Sequence, residues 1–260
     1  MGTFGPDGAI DPTRGVIIFC AGKKGSGKSV MGLLFLKNYP LDRVVIDVAG
    51  DDGPIGPDVI TIEGNAETWN GVPPKWPEWL RQYDTNGRKK PMTLRYAPDG
   101  GSATFLDDVD LVVGMTLAHK TPCALMIHEI GVVAPAGRTR PHMRRALMHN
   151  RHNSATTLIL CGPRTQSLDA LVLQQADLIY MFETKNLADR KRVAESIGWD
   201  VNEFHQAVLD LGPHECLRYD DNEAPPEADE EDYRLIHMAA LPLETVNAVE
   251  RWAKGQEKAA

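Results

Sequence analysis

Residues 22–29 read Gly-Lys-Lys-Gly-Ser-Gly-Lys-Ser, a full match to the phosphate-loop pattern G-x-x-x-x-G-K-[ST]. A short apolar run, residues 16–20, comes directly before the match, and residues 30–36 continue it as a helix that packs on a sheet. A buried strand, a glycine-rich turn and a helix form the setting in which this match is specific. The sequence therefore predicts that the chain binds a nucleoside triphosphate.

The residue types in this loop suit triphosphate chemistry. Glycines let successive backbone N–H groups curl around the phosphates, and the start of the following helix adds its positive dipole end. The predicted nucleotide-binding residues are Gly22, Lys23, Lys24, Gly25, Ser26, Gly27, Lys28, Ser29 and Val30. We expect Lys28 to reach the β- and γ-phosphates and the Ser29 hydroxyl to lie on Mg²⁺.

The composition of the 260 residues is ordinary for a soluble globular protein. The formal net charge of −8 means that nucleic-acid binding would depend on a local basic patch. The four cysteines lie apart, without a C-x-x-C pair, which is typical of small core residues in a reducing compartment. Because no apolar run is long enough to cross a bilayer and no secretory signal is visible, we expect a cytoplasmic protein with no transmembrane segment.

Alternating apolar strands and amphipathic helices predict an α/β fold with a mainly parallel sheet and helices on both faces. We expect residues 15–219 to form this domain, after a flexible arm of residues 1–14, with an irregular Trp/Pro-rich insertion at residues 64–91. Residues 220–232 are an acidic linker that should not pack, and residues 233–260 form a tail with a short helix. The sequence leaves open whether that helix packs on its own chain or on a neighbour.

A second buried strand, residues 123–127, ends in His128-Glu129. In one large branch of phosphate-loop ATPases an Asp-Glu pair stands here, where the Asp helps to hold Mg²⁺ and the Glu polarises the attacking water. Glu129 thus stands where the catalytic base would be, and the alternative is an ordinary charged residue at a strand end. His128 offers an imidazole to an ion that prefers oxygen. Three outcomes stay open: Glu129 does both jobs, another carboxylate such as Asp47 helps, or hydrolysis is slow.

A basic segment, residues 138–152, contains Arg138, Arg140, Arg144, Arg145 and Arg151 and no acidic residue. On a helix over residues 141–153, the side facing the sheet would consist of Met143, Ala146, Leu147 and Asn150. Arg144 and Arg151 would lie together on its flank. The segment fits a solvated helix face, a subunit surface that presents an arginine to the next γ-phosphate, or a contact with DNA phosphates.

The loop Gly162-Pro163-Arg164-Thr165-Gln166 follows the next strand. In this fold that loop lies beside the γ-phosphate and often carries a polar sensor. Arg164 and Gln166 are the candidates, and a plain turn is the alternative.

The order of motifs from Glu129 onward resembles the FtsK/HerA superfamily. Its members typically show D-E-A-H…P, then G-R-H-x-G, then a strand ending T-Q-R-P, and then a V-x-x-Q-A-D-like turn. The matching stretches here are His128-Glu129-Ile130-Gly131 with Ala134-Pro135, Asn150-Arg151-His152-Asn153, residues 158–169, and Leu173-Gln174-Gln175-Ala176-Asp177. With the phosphate loop, the resemblance covers roughly residues 15–195.

This resemblance implies a RecA-like ASCE P-loop NTPase fold, ATP and Mg²⁺ as ligands, a homo-oligomeric ring (pentamer or hexamer) and translocation of double-stranded DNA. It also implies that Ser29 and Glu129 hold Mg²⁺, partly through water, and that Arg151 or Arg164 acts in trans. The chain departs from the family where His128 replaces the Asp and where Gly162-Pro163 replaces the T-Q of the sensor loop. Arg164 keeps the family's arginine.

We expect the chain to lack the membrane spans, winged helix, barrel and nuclease domain of larger members. It therefore resembles the compact packaging ATPases of double-stranded DNA viruses, which implies a host-cytoplasm or virion-vertex location and a capsid or portal-vertex protein as a further partner.

Two alternatives stay open. In a ParA/MinD-like positional switch, with its K-G-G-x-G-K-[ST] loop, Lys23 would be the signature lysine, although Lys24 replaces a glycine. In a small-molecule kinase, residues 64–91 would act as a lid. A GTPase is disfavoured because no N-K-x-D guanine motif occurs.

Overall fold

The computed structural model describes residues 10–12, 14–50, 53–65, 91–118, 122–149, 156–222 and 234–256. The strands in this part of the chain are β1 (Ile17–Ala21), β2 (Asp42–Ile46), β3 (Val59–Gly64), β4 (Thr93–Pro98), β5 (Cys123–Ile127), β6 (Thr157–Gly162), β7 (Leu178–Phe182), β8 (Cys216–Asp220) and β9 (Leu235–Met238). The helices are α1 (Lys28–Asn38), α2 (Phe105–Leu117), α3 (Ile130–Val133), α4 (Pro141–His149), α5 (Ala170–Gln174), α6 (Leu187–Ile197), α7 (Val201–Leu209) and α8 (Leu243–Ala253).

The nine strands form one sheet in the order β3-β4-β2-β5-β6-β1-β7-β8-β9. All neighbours from β3 to β7 pair in parallel, and β8 and β9 close one edge antiparallel. The central strands β1, β5 and β7 are buried at every position, which explains why they read as continuous apolar runs. The predicted α/β, RecA-like fold is confirmed, and β9 is an addition that the sequence pattern did not predict.

Two apolar cores lie on opposite faces of the sheet. The first contains buried side chains of α2, α4, α6 and α7, among them Val112, Leu147, Val193 and Phe204. The second contains side chains of α1 and α8, among them Leu36 and Trp252. The phosphate loop joins β1 to α1, so the second face positions it.

The four cysteines, Cys20, Cys123, Cys161 and Cys216, are free and buried, as predicted for core residues. A hydrogen bond with Cys161 and burial raise the pKa of the Cys20 thiol well above its ordinary value. Burial raises the pKa of Cys216 to about 12. The Cys20 and Cys216 thiols therefore stay protonated and act as small apolar side chains.

Several predictions fall outside the described residues: Arg151, Asn150, and most of the arm, the 64–91 insertion and the 220–232 linker. None of the described helices is long and apolar enough to span a membrane.

Candidate functional site

The phosphate loop is held against the ends of the two strands beside β1. The Gly22 N–H donates to Gly162 O on β6 at 3.4 Å, and the Lys23 N–H donates to Glu183 O after β7 at 3.0 Å. A Cβ at Gly22 would lie 2.6 Å from the Cβ of Phe182, so only glycine fits there. Gly27 has a φ of 104°, a left-handed conformation that favours glycine, and α1 begins at the next residue. The loop therefore has the geometry that the motif predicts.

Two polar side chains of the loop are buried without a side-chain hydrogen bond or ion pair to any other described residue. Lys28 is 7% exposed, and no carboxylate of the described residues forms an ion pair with it. The Ser26 hydroxyl is buried and has no hydrogen-bond partner in the described part of the chain. A buried cation is costly unless an anion or acceptor satisfies it. The loop is thus suited to binding phosphate, and the first N–H groups of α1 are further donors.

Glu129 lies at the same edge of the sheet, two strands away from the loop. In the pairing register, Ile127 on β5 faces Leu160 on β6, which in turn faces Phe19 on β1. Glu129 follows Ile127 by two residues and therefore lies just past the end of β5, at the edge of the sheet where β1 ends at Ala21 and the loop begins. Neighbouring strands are about 4.8 Å apart, so β5 and β1 are separated by roughly 10 Å, with β6 between them.

Glu129 has a left-handed backbone, with φ 55° and ψ 50°, at the start of α3. Among the described non-glycine residues, His214 alone shares a positive φ, at 65°. Side chains other than glycine, Asn and Asp adopt this conformation rarely, and such strain concentrates at functional sites. The half-buried carboxylate is therefore held at a turn that the chain would otherwise avoid.

Asp47, considered as a helper for the metal, has another role. It is fully buried, and its Oδ2 accepts a hydrogen bond from Arg95 Nε at 3.0 Å. Its Oδ1 accepts from the Gly50 N–H at 3.0 Å, so Asp47 caps the loop that follows β2. His128 is also buried, and its backbone N–H donates to Ile46 O on the neighbouring strand at 3.2 Å.

The loop after β6 lies between the phosphate loop and Glu129, because β6 is the strand between them. Arg164 and Gln166 are both exposed there. The residue between them, Thr165, is buried and fixed by Asp189 on α6, whose Oδ1 accepts from the Thr165 N–H at 2.8 Å and from its hydroxyl at 3.0 Å. Arg192 donates to Gln166 O at 2.6 Å. The sequence pattern did not single out these two α6 residues as supports.

Four of the described candidate arginines, Arg138, Arg144, Arg145 and Arg164, lie on the surface. Met143, Ala146 and Leu147 are buried, as predicted for the inner side of α4, and Arg144 and Arg145 are exposed. Asp110 on α2 accepts the N–H groups of His142 and Met143 and so caps this helix. Lys23, the signature residue of the ParA/MinD-like alternative, forms an ion pair with Glu183 of its own chain.

A cavity of 510 Å³ extends from the phosphate loop to the C-terminal tail. Its lining residues are Gly25, Gly27, Lys28, Ser29, Val30, Phe182, His214, Ala240, Leu241, Leu243, Val246 and Glu250. The tail helix α8 thus packs on its own chain, which settles the question that the sequence left open. Its contribution to the site comes from residues more than 200 positions after the loop, and no local motif indicates it.

The donors present are compatible with Mg²⁺. No group of three or more His, Cys, Asp or Glu side chains suited to a metal occurs within the described ranges. Mg²⁺, however, usually keeps several waters and takes only one or two protein oxygens beside substrate phosphates. The Ser29 hydroxyl and the Glu129 carboxylate, both half-buried, are oxygen donors of that kind.

Solved structures with this fold include the genome packaging NTPase B204 from Sulfolobus turreted icosahedral virus 2. Its complex with AMPPCP matches with a TM-score of 0.59 and 19% identity, over 89% of this chain and 100% of that one. Its complex with AMP gives 0.61 and 21%, over 82% and 95%. B204, the DNA-packaging ATPase from Sulfolobus turreted icosahedral virus, gives 0.59 and 19%, over 88% and 100%. No protein-family profile and no curated protein sequence matches this chain.

These matches cover nearly the whole of B204 and establish a shared fold. The expected resemblance to compact packaging ATPases is therefore confirmed at the level of architecture.

Proposed function

We propose that this chain is an ATPase that couples ATP hydrolysis to the translocation of double-stranded DNA, as the motor that packages a viral genome. The observation that carries the proposal is the placement of Glu129. This carboxylate, in a left-handed turn directly after β5, is at the same edge of the sheet as the phosphate loop, with β6 and its following loop between the two strands, which supports a role as the catalytic base.

In the proposed reaction, Lys28 and the backbone of the phosphate loop bind the triphosphate, and Ser29 and Glu129 hold Mg²⁺, partly through water. The ion, when bound, neutralises charge on the phosphate oxygens. Glu129 accepts a proton from the water that attacks the γ-phosphorus, and ADP leaves. Arg164, exposed at the loop after β6, or Arg151 reaches the γ-phosphate of a neighbouring subunit in a ring of five or six copies.

The DNA part of the proposal rests on two supports. The architecture is shared with B204, a DNA-packaging ATPase. The surface of α4 and its preceding turn presents Arg138, Arg144 and Arg145 although the whole chain is acidic. Arginines that contact phosphates bind DNA without regard to sequence, and such binding weakens as salt rises. A capsid or portal-vertex protein is the expected further partner.

The test is ATP turnover with and without linear double-stranded DNA, for the wild type, Lys28→Ala and Glu129→Gln. We expect DNA to stimulate turnover in the wild type. Lys28→Ala should lose ATP binding, whereas Glu129→Gln should bind ATP and not hydrolyse it.

Turnover that is indifferent to DNA would contradict the translocase. Phosphate transfer from ATP to a metabolite would show that the chain is a small-molecule kinase instead.

A further inference from the structure

We propose that the C-terminal segment, residues 240–250, and His214 form the nucleoside subsite of this site. The occupant is the base and ribose of the same nucleoside triphosphate whose phosphates the loop binds. The inference rests on the proposed nucleotide binding by the phosphate loop and adds a function for the tail.

The cavity is continuous from the loop to the tail. On one side it is lined by Gly27, Lys28 and Ser29, the residues that face phosphates. On the other side it is lined by Leu241, Leu243, Val246 and Glu250 of the C-terminal segment. A triphosphate seated on the loop leaves the rest of its molecule in the adjoining space. Its 510 Å³ lies within the roughly 300–1,000 Å³ of ligand pockets.

The chemistry of the tail wall suits a flat aromatic base. Leu241, Leu243 and Val246 are aliphatic, and Val30 of α1 adds a fourth such side chain to the same cavity. Leu243 is 73% exposed, the largest value among the exposed large apolar side chains of the described residues. Pockets for small ligands are mostly apolar with a few polar groups, and here Glu250 and His214 are polar groups at the boundary.

The C-terminal segment that forms this wall of the cavity packs firmly on the rest of the chain. On the inner side of α8, Val249, Trp252 and Ala253 are buried, and Trp252 and Ala253 belong to the second core. The Arg43 guanidinium lies 5.6 Å from the centre of the Trp252 ring, a cation–π contact. The Gly56 N–H donates to Ala253 O at 3.1 Å. Since α8 also packs on α1, the wall and the phosphate loop are supported by the same helix.

His214 borders the cavity beside the phosphate loop. Its Nδ1 lies 3.7 Å from the point where a Cβ on Gly27 would be. Its left-handed backbone is fixed in a turn that Glu215 closes by accepting the Gly212 N–H at 2.8 Å. Glu215 also bonds His237 of β9, which leads directly into the C-terminal segment. His214 and Glu250, the two polar groups at the boundary of the subsite, are therefore both connected to the C-terminal segment.

The experiment compares the affinity of ATP with that of inorganic tripolyphosphate, which has phosphates and no nucleoside. The variants are Leu243→Glu in the wall and Leu187→Glu as the matched control, because Leu187 is also exposed, at 56%, and lies outside this cavity. A second wall variant, Val246→Glu, and a thermal melt of each protein accompany them.

We expect the wild type to bind ATP at least about tenfold more tightly than tripolyphosphate, a difference of about 1.4 kcal/mol. Leu243→Glu and Val246→Glu should remove that difference and leave tripolyphosphate affinity unchanged. Leu187→Glu should behave as the wild type.

Equal affinity for ATP and tripolyphosphate in the wild type, or retention of the difference in both wall variants, would overturn the subsite and leave nucleotide binding by the loop intact. Failure of the wild type to bind either ligand would instead overturn the proposed function.

Discussion

Asp189 on α6 fixes Thr165 in the loop after β6, with its Oδ1 accepting the Thr165 N–H at 2.8 Å and the Thr165 hydroxyl at 3.0 Å. The same oxygen accepts the Gln166 N–H at 3.0 Å. Because this loop lies between the phosphate loop and Glu129, we propose that Asp189 is a positioning residue for the γ-phosphate side of the site.

We predict that Asp189→Ala lowers kcat for ATP and leaves ATP affinity nearly unchanged, because the loop beside the γ-phosphate loses its support while Lys28 stays in place. Asp189→Asn should recover part of kcat, since its amide oxygen accepts the same hydrogen bonds. Steady-state kinetics and equilibrium binding check both. A parallel loss of affinity and kcat in the two variants would show a general folding defect instead.

The strain at Glu129 leads to a second prediction. Glycine adopts the left-handed conformation freely, so Glu129→Gly should stabilise the fold by about 1 kcal/mol while abolishing hydrolysis. For a domain of this size that is a rise in Tm of about 2–4 °C. Glu129→Gln keeps the strain and should lose hydrolysis without a gain in Tm. Thermal melts beside turnover assays test this, and a lower Tm for Glu129→Gly would contradict the strain.

Close packing beneath the phosphate loop gives a third prediction. A Cβ at Gly32 in α1 would lie 2.7 Å from Cys161 Sγ and 2.9 Å from Met126 Cε. The flexible end of Met126 can yield, but Cys161 is anchored in β6, so Gly32→Ala should push α1 from the sheet at a cost of about 1–3 kcal/mol.

Since α1 carries Lys28 and Ser29, ATP affinity should fall with stability in Gly32→Ala. Gly100→Ala is the matched control, because a Cβ at Gly100 would meet no atom within 4 Å. Denaturant melts and ATP titrations of both variants check the prediction. If Gly32→Ala binds ATP with the same affinity as the wild type, α1 does not move.

The stability that the turn at His214 contributes should depend on pH. The Gly212 N–H, and then His237, hold the pKa of Glu215 below its ordinary value. A carboxyl whose folded pKa is depressed contributes stability above its unfolded pKa, and that contribution is lost as pH falls through the folded value. We therefore expect Tm of the wild type to fall more steeply than Tm of Glu215→Gln as pH drops below the ordinary glutamate range. Parallel Tm curves across that range would refute the role of Glu215.

Local patterns predicted the parts of the fold that local physics determines. The predicted strand at residues 123–127 coincides with β5, because a strand buried on both faces must be apolar throughout. The motif likewise identified the phosphate loop, since its glycines are required by backbone geometry.

The remaining site residues depend on contacts between distant parts of the chain. Asp189 acts on Thr165 from 24 residues away. Leu243 and Val246 reach the phosphate loop only because β9 and α8 return to it. Asp47 directly follows β2, where a metal ligand could lie, and only the three-dimensional contact with the buried Arg95 shows that it forms an ion pair. Such roles follow from tertiary packing, which spacing in the sequence does not encode.

The most direct measurement is displacement of a third strand from linear double-stranded DNA, since movement along the duplex strips off a triplex-forming oligonucleotide. The wild type should displace it with ATP, and Glu129→Gln should bind ATP and leave it in place. Hydrolysis of ATP by the wild type with the third strand retained on the DNA would contradict the coupling of this site to DNA translocation.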